Sequence, residues 1–218
     1  MISLRNVVKR FETNSGPRTI LDRVSMDVGA GERVGILGRN GSGKSTLIKI
    51  IGGTSLPTKG TVQKTMRVSW PLAFGGAFQG SLTGYDNLRF VCRIYQTEFE
   101  AARESVLEFS GLGNYLREPV KTYSSGMRAR FAFAISLAVD FDCFLIDEVV
   151  AVGDSRFHER CRYELFERRA SRAIILVTHD ENVLRQYCEK AAVLTNGVLS
   201  PFGDLRDSLE RYRDGCTS

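Results

Sequence analysis

One stretch limits what this chain can be. Gly38-Arg39-Asn40-Gly41-Ser42-Gly43-Lys44-Ser45 fits the pattern G-x-x-x-x-G-K-S/T. It lies between an apolar run, Val34 to Leu37, and a helical pattern anchored by Leu47, Ile48, Ile50 and Ile51. A strand, a glycine loop and a helix in that order make a phosphate cradle. The glycines let backbone N–H groups of Gly38 to Gly43 close on phosphate oxygens, where side chains would block the approach. Lys44 then reaches the β- and γ-phosphates, Ser45 offers a hydroxyl to Mg²⁺, and Thr46 opens a helix whose positive end faces the anion. Gly52-Gly53 is the stop signal for that helix.

The rest of the composition sets the class of molecule around the cradle. With 218 residues, 43% hydrophobic and 25% charged, the chain reads as an ordinary globular protein of one unit. Its longest strongly apolar run, Phe131 to Val139, falls short of the roughly 20 residues that a membrane-spanning helix needs. Met1 to Phe11 is charged and alternating where a signal peptide would be continuously apolar, so a cytoplasmic location is expected. Cys92, Cys143, Cys161, Cys188 and Cys216 have neither disulfide nor zinc spacing. The net charge of +5 is spread rather than striped, and no nucleic-acid partner is expected.

Along the chain, Ile2, Leu4 and Val7-Val8, then Leu21, Val24, Met26 and Val28, carry antiparallel-type alternation ahead of the cradle. A further short strand is expected around Thr61 to Ser69. Glycines crowd residues 70–87 around Gln79, the mark of a connector. From Asn87 to Leu137 the pattern is helical, with Phe99, Ala102, Val106 and Phe109 at spacings of 3, 4 and 3. Cys143 to Asp147 and Ala173 to Thr178 are continuous apolar runs that read as buried parallel strands. Between them, Asp154 or Ser155 caps a helix through Phe157, Cys161 and Leu165. Asn196-Gly197 between Ala191–Thr195 and Val198-Leu199 marks a hairpin, and Leu205, Leu209 and Tyr212 mark a last amphipathic helix.

A phosphate cradle needs a carboxylate to complete the shell of Mg²⁺. Asp147 and Glu148 end a buried strand about a hundred residues after Lys44. Asp147 fits the magnesium side, and Glu148 fits the base that polarises attacking water. Thr178-His179 ends the next strand, which brings an imidazole to the same sheet edge, within reach of the γ-phosphate or of Glu148.

Tyr123-Ser124-Ser125-Gly126-Met127-Arg128 precedes Asp147 and opens a helix, and it resembles the signature element of ATP-binding cassette (ABC) ATPases. With the cradle, the Gln79 connector, Asp147-Glu148 and His179 in order, the resemblance spans essentially the whole chain. It implies an α/β fold of the P-loop NTPase type, with a mostly parallel core sheet, a small antiparallel β layer and an inserted helical subdomain at about 87–137 of a single 1–218 nucleotide-binding domain. It also implies ATP and Mg²⁺ as ligands and a homodimer in which each signature faces the other subunit's cradle. There Ser124 supplies a hydroxyl contact and Gly126 a close backbone approach. Phe11 stacks on adenine, Gln79 touches Mg²⁺ or the water, and Asp154 lines the dimer seam. A helix N-terminus with small residues is chemically suited to a γ-phosphate.

Two departures from the usual family pattern, Ser125 and Met127 in the signature and Ala151-Val152-Gly153-Asp154 at the seam, narrow the resemblance. Together with Ser69-Trp70-Pro71 and Phe78-Gln79-Gly80-Ser81-Leu82-Thr83-Gly84, they resemble the polysaccharide-export branch. Members move lipid-linked capsular polysaccharide, O-antigen or teichoic acid across the cytoplasmic membrane. The chain's shortness points to the capsule type, peripheral on the cytoplasmic face of the inner membrane and coupled to a polytopic permease. O-antigen or teichoic acid export and a soluble ABC ATPase are the alternatives. Trp70, Phe74 and Phe78 read either as part of a groove for the permease or as buried aromatics.

Overall fold

The computed structural model describes residues 1–14, 16–72, 78–147 and 155–214. The chain forms two compact units. The first comprises Met1–Pro71, Phe141–Val149 and Ser171–Ser218, and the second Leu72–Asp140 and Val150–Ala170.

The first unit is built on two sheets. Strands β1 (Ile2–Thr13), β2 (Gly16–Val28) and β4 (Lys59–Lys64) form an antiparallel sheet in the order β2-β1-β4. Alternate residues of β1 and β2 are buried, among them Ile2, Leu4, Leu21, Val24, Met26 and Val28, as a sheet with one wet face requires. The second sheet runs β10-β8-β3-β7-β6-β5, with β9 beside β8. Its centre is β3 (Arg33–Leu37), parallel to both β7 (Ala173–Thr178) and β8 (Lys190–Thr195), and β7 is in turn parallel to β6 (Cys143–Asp147). These runs are buried on both faces, which is why they read as continuously apolar rather than alternating. The edges are β5 (Val68–Leu72), β9 (Val198–Leu199) and β10 (Gly203–Asp204). Helix α1 (Lys44–Gly52) presses Leu47, Ile48, Ile50 and Ile51 into a core shared with Ile2, Leu21, Ile36, Leu145 and Val177.

The single strand expected around Thr61 to Ser69 is two strands. β4 pairs with β1 in the antiparallel sheet, and β5 lies at the end of the other sheet beside β6. Thr65-Met66-Arg67 breaks the run, because Thr65 N–H bonds Met1 O while Arg67 N–H bonds the Asp142 carboxylate. The Asn196-Gly197 hairpin is as expected, both residues having positive φ (49° and 81°), the twist a two-residue turn demands. After it, helix α7 (Leu205–Asp214) buries Leu209, and its Ser208 hydroxyl donates to Ala191 O at 2.8 Å. Helix α6 (Glu181–Tyr187) precedes β8.

The second unit is helical. It contains α2 (Gly84–Tyr95), α3 (Phe99–Ser110), α4 (Ser125–Ala138) and α5 (Ser155–Arg162). Thr83 caps α2 by accepting from Asp86 N–H, so the helix starts ahead of the expected Asn87. Helix α4 is apolar nearly all round, and its residues Phe131 to Leu137 are buried. Phe109 stacks on Phe133 there, and Phe157 meets both edge-on, with ring centroids 5.3 to 6.3 Å apart. Leu165, expected on one helix with Phe157 and Cys161, lies in a π-helical turn, Tyr163–Glu167, that follows α5. Arg169 braces that turn by reaching both the Glu164 carboxylate and Leu137 O. Trp70 packs edge-on against Phe141, and Phe78 packs at a tilt against Phe131, each within its own unit. Phe74 lies outside the described residues. Among the described residues no helix is long and apolar enough to cross a membrane.

Candidate functional site

The carboxyl edge of the parallel strands gathers the site in the first unit, the edge at which open α/β sheets bind ligands. Register pairs Leu37 with Thr178 and Val193, and Asp147 with Val177. Gly38 and His179 therefore leave the sheet together, beside the carboxylate of Asp147.

The cradle that begins at Gly38 is closed by Ser42 N–H donating to Arg39 O at 3.1 Å. Gly43 enters α1 at φ 110°, and a Cβ there would sit 2.9 Å from Ile20 O. Only glycine fits that turn without strain. Lys44 is 6% exposed, and its ammonium donates to Gly38 O (2.7 Å) and Arg39 O (3.0 Å). Helix α1 has no side-chain cap and no acidic residue in its first turn. The first turn of such a helix, with its N–H groups and positive dipole end, suits an anion. The buried hydroxyl oxygen of Ser42 likewise lacks a hydrogen-bond partner among the described residues. A cradle with an orphaned hydroxyl, an uncapped helix and an inward lysine is matched to phosphate.

Lys44, Ser45, Thr46, Asn40, Gly41, Gly43 and Asp147 line one cavity of about 440 Å³. The fold therefore brings together the predicted phosphate ligands and the predicted magnesium carboxylate. His179 is exposed at the same edge, and Thr178 Oγ1 accepts from Asp180 N–H at 3.0 Å to fix the turn after it. Phe11 is 45% exposed on β1, with the Lys9 ammonium 5.0 Å from its ring centroid. Glu148 and Asp154 lie outside the described residues.

Gln79, Ser124 and Gly126 belong to the helical unit. Gln79 is exposed, but its main chain is gripped by Asn87, whose side chain accepts from Gln79 N–H (2.9 Å) and donates to Gln79 O (3.1 Å). Ser124 caps α4 by accepting from Met127 N–H at 3.2 Å. Tyr123, immediately before it, is buried, and its hydroxyl donates to Tyr115 O. Burial pushes that phenol up to about 12. The entry to the signature helix is thus pinned. At Gly126, a Cβ would meet just Ser124 Oγ, at 4.0 Å, among the described residues. Among the described residues, no steric contact requires glycine there.

Sequence reasoning missed several contributors. Arg18 and Ile20 of β2 line the cradle cavity, and Asn196 and Tyr212 line a second cavity of about 380 Å³ on the loop's other side. The hairpin also holds the cradle. Gly197 N–H donates to Ser42 O at 3.2 Å, and Gly197 O accepts from Asp22 N–H at 2.8 Å. Asn87 had one legible signal, a polar residue on the face of α2 that carries Leu88, Val91 and Cys92.

Comparison with known proteins agrees with this geometry. The model of the ABC transporter family matches residues 21–151, more than half of the chain. The ATP-binding protein BexA of Haemophilus influenzae is 55% identical, over 98% of this chain and 99% of that protein. The capsule polysaccharide export ATP-binding protein CtrD of Neisseria meningitidis serogroup B is 58% identical, over 97% and 98%. Among solved structures, the dimeric post-hydrolysis state of the ATP-binding cassette MJ0796, bound to ADP and phosphate, superposes with a TM-score of 0.75 at 25% identity, covering 94% of this chain and 99% of that one.

Proposed function

Because the chain belongs to the ABC transporter family of ATP-binding proteins, we propose that its hydrolysis of ATP energises an exporter that moves lipid-linked capsular polysaccharide across the cytoplasmic membrane. The observation that carries the ATPase reading is the shared cavity of Lys44, Ser45, Thr46 and Asp147 at the carboxyl edge of the sheet. The likeness to CtrD over nearly the full length of both chains supports the glycan class.

In this reading Phe11 stacks on adenine and the loop from Gly38 to Thr46 wraps the phosphates. Lys44 exchanges its two loop carbonyls for β- and γ-oxygens. Ser45, Asp147 and Gln79 would hold Mg²⁺, a hard cation suited to hydroxyl, carboxylate and amide oxygens and usually bound through few protein groups plus substrate phosphates. Bound there, it neutralises charge that develops on the phosphates. Glu148 takes the proton of the attacking water, and His179 orients that water or the γ-phosphate. A second copy supplies Ser124 and Gly126 across a head-to-tail seam lined by Asp154, as the dimeric cassette structure supports. The pair works peripherally on the inner membrane against a polytopic permease. The chain acts as one nucleotide-binding domain, with the helical residues at about 87–137 as its subdomain.

Two substitutions test this. Glu148→Gln keeps ATP binding, cuts turnover by about 10²–10⁴ and traps an ATP-loaded dimer visible by size-exclusion chromatography. Lys44→Ala instead weakens nucleotide binding itself, by about 10- to 100-fold for a lost charge-assisted contact. Wild-type turnover in the first variant, or wild-type affinity in the second, refutes the corresponding role. For the glycan class, loss of surface capsule on deleting the gene, with restoration by the wild-type chain and not by Glu148→Gln, is the expected result.

A further inference from the structure

Arg18 is a cation at the cradle for which the motifs give no role. It stands in β2 directly opposite Phe11 of β1. Opposed residues of an antiparallel pair project from the same face, with Cβ atoms about 4.5–5.5 Å apart. Arg18 therefore shares the face of the residue assigned to the base. It also lines both cavities beside the cradle, and Asn40 and Gly41 are the other residues common to the two. Arg18 thus borders the loop, exposed, and among the described residues no hydrogen bond or ion pair engages its guanidinium.

Charge says what such a group meets. A bound triphosphate carries about four negative charges, and Mg²⁺ with Lys44 supplies about three positive ones. Lys44 rises from the first turn of α1 and serves the β- and γ-end, and Asp147 adds a negative charge to the same cavity. The segment between the base at Phe11 and the β-phosphate at Lys44 is the ribose and the α-phosphate. A planar guanidinium fork suits phosphate oxygens.

We propose that Arg18 clamps the α-phosphate of the bound nucleotide and is a binding residue of this site. The proposal rests on the ATP-binding reading above. The α-phosphate is common to ATP and ADP and does not change in hydrolysis. The contact is therefore uniform binding, which lowers KM and leaves kcat alone.

The test is titration of the purified full chain with ATP and with ADP, at low and high salt, for wild type, Arg18→Ala and Arg18→Lys. Arg18→Ala weakens both nucleotides by about five- to tenfold, the worth of one exposed charge-assisted contact. It also flattens the salt dependence of binding, raises KM at constant kcat and leaves the melting temperature of the unliganded protein unchanged. Arg18→Lys recovers part of the affinity. A change under about twofold for Arg18→Ala overturns the clamp, and a loss confined to ATP overturns the α-phosphate assignment by moving the contact to the γ-end. Failure of wild type to bind either nucleotide overturns the ATPase reading itself, an outcome distinct from the other two.

Discussion

Asn87 is the most exposed to test of the structural assignments, because a single buried amide fixes the main chain of Gln79. It is 3% exposed, accepts from Gln79 N–H, and shares its two amide N–H groups among the carbonyls of Gln79, Leu82 and Thr83 at 3.1, 3.4 and 2.9 Å. Counting each at its full net worth of about 1 kcal/mol overstates the cost of Asn87→Ala. The three carbonyls keep other donors: Leu82 N–H for Gln79 O, Val120 N–H for Leu82 O and the Asn87 N–H for Thr83 O. Among the described residues, just the Gln79 N–H depends wholly on Asn87. The expected loss is therefore about 2 kcal/mol, one orphaned donor plus the weakened carbonyl contacts. For a chain of this size it lowers the melting temperature by about 4–8 °C. Asn87→Asp is the sharper probe. It keeps an oxygen for the Gln79 N–H but turns a second oxygen on three carbonyls, so it falls below Asn87→Ala in stability. Circular dichroism melts of the two variants check the order. An aspartate variant as stable as wild type refutes the anchor.

Two further predictions concern groups outside the catalytic machinery. Arg213 of α7 donates through Nε to Glu181 of α6 at 3.0 Å, and this bond holds the Glu181 carboxyl below its ordinary value. A carboxyl whose folded pKa is depressed contributes stability above the unfolded value, and that contribution is lost as pH falls through the folded one. Arg213→Ala therefore lowers stability near neutral pH, and the gap to wild type in urea titrations closes as pH falls through the depressed folded pKa of Glu181. A gap that persists in acid refutes the ion-pair account. The thiols of Cys143, Cys161 and Cys188 are pushed up to about 12 by burial, so a disulfide reagent at pH 8 leaves them untouched until the chain unfolds. Rapid labelling of Cys161 in the folded protein runs against that burial.

How much was legible in sequence follows from how local each feature is. The cradle was, because its strand, glycines, lysine and helix are contiguous and each has one physical job. The places of Asp147 and His179 were legible because continuous apolar runs announce parallel strands, whose ends fall at one edge. The break after Lys64 was not. What separates β4 from β5 is a pair of tertiary bonds, Thr65 to Met1 and Arg67 to Asp142, that no local propensity encodes. Arg18 was within reach of counting, since pairing Thr13 with Gly16 puts Phe11 opposite residue 18. The missing step was fixing the register, on which every facing pair depends.

The supports of the cradle show why such features escape a motif search. Ser42 O is held by Gly197, which is held by Asp22, so three segments far apart in the chain meet in two main-chain hydrogen bonds. None of these bonds uses a side chain, so they constrain no residue type beyond the turn glycine with its φ of 81°. A sequence records the groups that touch ligand because chemistry demands those side chains. It is nearly silent about the backbone that holds them, because any residue offers the same N–H and C=O. The loop still needs that support. With no side-chain cap on α1, the main-chain bonds from Gly197 to Ser42 and from Asp22 to Gly197 tie the loop to the hairpin turn and to β2.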